Sequence, residues 1–154
     1  MQFLETPVQI GLMALLVITS LLAVIRGGLP ERLAMAAVVI GSLLTPLVQN
    51  WSNLNAPQWG IMVVDAACLA ALVVLTWRYD RPWLPWAAAF QLITVVTHVG
   101  YALNLDILSR AYLSTSYLLF FGVLSAIAWG CVRRGGARHD RRRTPGRDRQ
   151  LRRS

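Results

Sequence analysis

The sequence predicts an all-α polytopic membrane bundle of five transmembrane helices, N-terminus out and C-terminus in, followed by a disordered Arg-rich tail. Three observations carry that expectation. Apolar residues make up 56% of the 154-residue chain and charged residues 14%, an imbalance foreign to soluble domains. The apolar residues fall in long runs, separated by breakers or charge. Basic and non-basic connections alternate along the chain as five spans require, because positive loops stay cytoplasmic. Together these exclude a soluble enzyme, a secreted disulfide scaffold and a disordered chain. Cys68 and Cys131 lie inside or near the end of apolar runs, where a disulfide is not expected and no metal-ligand spacing exists.

The runs cover residues 8–25, 33–48, 59–77, 84–103 and 111–132. A spanning helix needs about 20 residues, with a range of roughly 17–25. The first run has no basic flank before it and Arg26 after it, so it reads as a retained span rather than a signal peptide. Gly27 and Gly28 end it, and Pro30 starts the second helix. The second run is the shortest. The third follows Pro57 and closes at Arg78, the fourth follows Pro82 and stops before Asn104, and the fifth leads into the basic tail. The hairpins 8–48 and 59–103 share a plan of helix, Arg-bearing loop and helix, as any inward-turned pair would.

Orientation rests on arginine, which supplies all 15 basic residues. Arg26 and Arg32 mark one inner loop, and Arg78 and Arg81 the other. The connection 49–58 is uncharged, and 104–110 carries one Arg and one Asp. Ten arginines between 133 and 153 keep the C-terminus inside. Residues 1–132, the helical bundle, are net neutral, and residues 133–154, the cytoplasmic tail, carry the whole net charge of +8. Trp51, Trp59, Trp77, Trp83, Trp86 and Trp129 all fall near the expected interfaces, where an amphipathic ring is favoured.

Two ionisable residues fall inside the spans, Asp65 and His98, and such residues are functional candidates. Counted at about 1.5 Å per residue, both lie roughly 10 Å below the outer surface on consecutive helices, so an intramembrane polar pair is expected. Gln91, Thr94, His98 and Tyr101 follow helical spacing and form a polar stripe. Asp65 shares a face with Cys68, and Ala66, Ala67, Ala70 and Ala71 are small enough for close helix approach. Such stripes commonly serve as packing glue, and a proton-relay or ligand role is the alternative. No catalytic set, metal site or cofactor site can be assembled; one intramembrane histidine is a weak basis for haem.

In the inner loops, Glu31 and Asp80 are placed to pair with arginines across the hairpins, while the arginines themselves read as topological anchors. Beyond them, Arg133, Arg134, Arg138, Arg141, Arg142 and Arg143 are expected to contact anionic lipid headgroups or an acidic partner. The tail has no aromatic residue and so no stacking platform, which argues against sequence-specific nucleic-acid binding.

The motifs Arg26-Gly-Gly-Leu-Pro-Glu-Arg32, Gln58-Trp59-Gly60, Val64-Asp65, Asp80-Arg81-Pro82-Trp83, Trp86-Ala87-Ala88-Ala89-Phe90-Gln91-Leu92 and Thr97-His98 carry a resemblance. Over roughly residues 22–130 the chain resembles small uncharacterised multi-pass inner-membrane proteins of alphaproteobacteria, of the sphingomonad type. That resemblance implies a bacterial inner-membrane location and no residue roles. The function expected is non-enzymatic: a small accessory or assembly subunit that associates with itself or with a larger membrane complex. A small transporter or proton-coupled module using Asp65 and His98 is the first alternative. A holin-like permeabilising protein is the second.

Overall fold

The computed structural model describes residues 7–49, 58–103 and 109–143, with side chains in the last stretch from 114 to 133. Among the described residues the secondary structure is helical throughout: α1 Pro7–Ile25, α2 Leu29–Val48, α3 Trp59–Arg78, α4 Leu84–Ala102 and α5 Ser109–Arg143. Four helices carry stretches long and apolar enough to cross a membrane, in α1, α2, α3 and Ser114–Arg133 of α5. In α4 the same length is interrupted by Gln91, Thr94, Thr97 and His98, which lower its hydropathy. Trp51 lies outside the described residues.

Two boundaries differ from the sequence expectation. α2 begins at Leu29 rather than 33, which removes the apparent shortness of the second run. Its first turn takes Pro30, whose missing N–H is an orphan there anyway, and the Glu31 carboxylate accepts from the Gly28 N–H at 2.8 Å. α5 continues as one helix through Arg143, into the stretch expected to be disordered. Ala137 and the arginines favour helix enough to carry it past Gly135 and Gly136, and the next proline stands at 145. Residues 144–154 lie outside the described residues.

The helices pack as a closed ring, α1 on α2, α2 on α3, α3 on α4, α4 on α5 and α5 back on α1, with α2 also touching α5 across the middle. Gln9 near the start of α1 donates to the Tyr117 hydroxyl near the start of α5 at 3.0 Å, so these two helices run parallel. Gly122 and Gly130 of α5 lie against the rings of Phe90 and Trp83, which makes α4 and α5 antiparallel. Gly41 faces Cys68, and Gly60 abuts Val48, which does the same for α2 and α3. The start of α1 and the end of α5 therefore lie at opposite ends of the bundle.

The exterior is the reverse of a soluble protein's. Large apolar side chains cover it on every helix, among them Val17 and Leu21 of α1, Leu43 and Leu47 of α2, Val63 and Val74 of α3, Leu92 and Val96 of α4 and Leu118 of α5. In water this surface would be an aggregation site, whereas against acyl chains it is matched. The chain is a membrane-embedded protein.

Gly130 is tightly constrained. A β-carbon there would meet the Trp83 indole at 2.5 Å, and Trp83 is 2% exposed and hydrogen-bonded to Glu31. The ring has no free direction in which to yield. Gly130→Ala is expected to destabilise the bundle by about 1–3 kcal/mol, the usual range for overpacking. Gly11→Ala, with nothing within 4 Å of the new carbon, is the matched control and should be neutral or slightly stabilising. Thermal unfolding of both variants in detergent checks this, and equal midpoints would refute the tight α4–α5 seam.

Candidate functional site: the Asp65 clasp

Asp65 stands six residues into α3, so its carboxylate is about 9 Å from that helix's start. His98 stands four residues before the end of α4. Because α3 and α4 run antiparallel, the two meet near the same end of the bundle. His98 Nε2 and Asp65 Oδ2 are 2.8 Å apart. The polar stripe adds a second donor: Gln91 Nε2 donates to Asp65 Oδ1 at 2.9 Å and to the Asp65 backbone carbonyl at 3.3 Å. Both carboxylate oxygens are thus engaged, one by an amide and one by an imidazole. With Asp65 ionised, the imidazole Nε2 is the proton donor in this pair. The His98 side chain is 7% exposed and that of Asp65 23%, so the open edge of the clasp lies on the carboxylate side.

The rest of the stripe divides. The Thr94 hydroxyl donates back to the Phe90 carbonyl of its own helix at 3.1 Å and takes no part in the clasp. Tyr101 joins His98, Gln58, Trp59, Met62 and Ala102 in lining a cleft between the start of α3 and the end of α4. That cleft leaves no space for a water molecule. Cys68, one turn from Asp65, donates to the Ala37 carbonyl of α2 at 3.3 Å. Thr76 bonds within α3, to the Leu72 carbonyl.

Three of the four alanines do not do what their size suggested, while Ala71 is half-buried. Ala66, Ala67 and Ala70 are exposed. With Asp65 turned towards α4, residues one and two positions on point away from it, and close approach is made instead through Gly41, Gly60, Gly122 and Gly130.

A second polar contact, at the opposite end, joins two residues that the sequence singled out separately and did not pair. Glu31 is 1% exposed. Its Oε2 accepts from Gly28 N and its Oε1 from the Trp83 indole N–H at 3.3 Å. Glu31 therefore does reach across to the second hairpin, and Trp83 receives it. The signal available was a glutamate three residues after a helix-start glycine, a capping-box spacing. Arg32 turns the other way and donates to the Val24 carbonyl at 2.6 Å. Trp83, just before α4, is buried, whereas Trp59, Trp77, Trp86 and Trp129 are exposed. Of the arginines beyond 132, Arg133 lies with its guanidinium carbon 5.3 Å from the Trp129 ring centroid. The side chains of Arg134, Arg138, Arg141, Arg142 and Arg143 lie outside the described residues.

Among the described residues no group of three or more His, Cys, Asp or Glu is placed to hold a metal ion. Compared with family models, curated proteins and solved structures, the chain matches none. The chemistry open to the clasp is to tie α3 to α4 and to exchange a proton between imidazole and carboxylate.

Interhelical hydrogen bonds in bilayers average about 0.6 kcal/mol and reach about 1.7. Asp65 engages two donors, so a double-mutant cycle of Asp65→Asn with His98→Ala should give a coupling energy of about 1 kcal/mol or more by reversible unfolding in bicelles. A coupling within error of zero would mean the pair does not hold the helices together. Glu31→Gln with Trp83→Phe should couple with the same sign and comparable size.

Proposed function

We propose that this protein is a small non-enzymatic assembly subunit of a bacterial inner membrane, crossing it five times with its N-terminus outside and its C-terminus inside. Its body supplies packing surface to a second copy or to a larger membrane complex. The observation that carries this reading is the pairing of polar side chains between helices. The interhelical polar side chains Gln9, Glu31, Asp65, Gln91 and His98 bond helix to helix, and the cleft beside His98 admits no water. A conduit needs a wetted polar lining. The apolar exterior is extensive on all five helices and is available for packing. The ring order and the parallel α1 and α5 support an odd number of crossings, and the arginines at one end support the orientation.

One observation favours a second reading, a proton-coupled module. His98 touches both Asp65 and the wall of the outer cleft, so a modest opening of α3 from α4 would connect the pair to the outside. The two readings separate cleanly. Gentle extraction from the native membrane followed by native mass spectrometry should give this chain bound to another membrane protein or to itself. A bare monomer would contradict the assembly reading. In the module, Asp65→Asn abolishes proton-dependent activity while the fold survives; in the assembly subunit, the same change lowers stability and leaves the complex's composition intact.

A further inference from the structure

α5 is longer than a bilayer needs. Its stretch Ser114–Arg133 is long and apolar enough to cross, and the helix runs on to Arg143. At about 1.5 Å per residue, the extension reaches roughly 15 Å beyond Arg133. The packing of α5 inside the bundle fixes which side of this extension is which. Val123, Ile127 and Cys131 are buried, and Gly130 lies against Trp83. Steps of four and three lead from Ile127 through Cys131 to Arg134, Arg138, Arg141 and Arg142. These four arginines therefore share the face of α5 that packs onto the bundle. The opposite face runs through Leu118, Phe121, Trp129 and Val132, all exposed. Its continuation holds Gly136, His139, Asp140 and Arg143, where one acid offsets one base.

The arginine stripe is thus placed on the side of the protein body, and the side of the lipid is near neutral. Distance acts in the same direction. Residues 138–142 stand about 8–14 Å along the helix beyond Arg133. Charges are screened over about 8 Å at physiological salt, so a headgroup layer at the level of Arg133 is a poor partner for them.

We infer that Arg138, Arg141 and Arg142 form a docking stripe for an acidic segment of a different membrane protein. Guanidinium forks on adjacent helical turns suit carboxylates, which they bind in two-point fashion. A second copy of the chain offers no such segment. Its seven acidic residues stand singly, Asp80, Asp140 and Asp148 each adjoin an arginine, and every copy carries a net charge of +8. Nucleic acid is the weaker match, because residues 134–143 include no Trp, Tyr or Phe on which a base could stack. This inference rests on the assembly reading and selects a hetero-complex within it.

The test is native mass spectrometry after gentle extraction from the native membrane, with the unaltered full chain and two triple variants. Arg138→Gln with Arg141→Gln and Arg142→Gln removes the stripe and keeps helix propensity. Arg147→Gln with Arg149→Gln and Arg152→Gln removes the same charge from beyond Pro145. The first should weaken association with the partner about tenfold, as three exposed charge pairs imply, and the second should change it less than about twofold. Added oligoglutamate peptide should release the partner from the unaltered chain. A complex that survives the stripe variant, an equal loss in the second variant, or indifference to oligoglutamate overturns the stripe and leaves the assembly reading standing. Release by nuclease assigns the stripe to nucleic acid, and loss of bound phosphatidylglycerol without loss of partner assigns it to lipid; either overturns the inference. An unaltered chain extracted bare removes the assembly reading and this inference with it. If the stripe variant does not fold, a salt series on the unaltered complex decides, because association unmoved by high salt contradicts an ionic dock.

Discussion

A carboxylate inside a bilayer has no water to bond, and Asp65 answers that constraint by taking two donors from one neighbouring helix. Gln91 and His98 lie two turns apart on α4 and close on the same carboxylate from either side. Between helices in lipid the hydrophobic effect gives little, since a leucine facing leucine is no better off than one facing an acyl chain. What distinguishes the observed pairing of α3 with α4 from other pairings is therefore the polar contact, together with packing close enough to gain dispersion energy. Turning α3 about its axis would leave a buried carboxylate without partners, which costs more than a typical helix–helix hydrogen bond gains.

The bundle is fastened at both ends on the same plan. At one end Asp65 ties α3 to α4, and Gln9 ties α1 to α5. At the other, Glu31 at the start of α2 holds the Trp83 indole just before α4, and that indole in turn occupies the hollow over Gly130 of α5. One acidic side chain thus organises three helices. Between the fastened ends the contacts are apolar and close: Leu72, Leu84, Leu124 and Ile127 are wholly buried. This arrangement leaves the outer faces of the bundle largely apolar.

Much of this was legible in the sequence, for physical reasons that differ from element to element. The five helices and their placement follow from the apolar runs, because only helices satisfy their own backbone in hydrocarbon. Asp65 and His98 stood out because ionisable residues are expensive there, and their matching depth followed from helix rise alone. The α2 start was misplaced because Pro30-Glu31-Arg32 looks like loop, whereas a proline and an acid are what a first turn accommodates. The alanines misled because small size says nothing about rotation: Asp65 sets which face of α3 looks inward. The contact of Glu31 with Trp83 was hidden because arginine is the partner that an acid leads one to expect, and Trp83 stood out only as one of several tryptophans flanking the expected interfaces.

Function follows less directly than fold, since a tight polar clasp serves a packing unit and a proton site alike. The shut cleft beside His98 and the engagement of both Asp65 oxygens favour packing. The account stands on the existence of the clasp in a bilayer. The most direct measurement is solid-state NMR on the labelled protein in lipid, reading magnetisation transfer between the His98 Nε2 and the Asp65 carboxyl carbon. With Nε2 at 2.8 Å from Oδ2, strong transfer at short mixing times is the expected result. Absence of transfer in a folded, inserted sample would contradict the clasp and the architecture built on it.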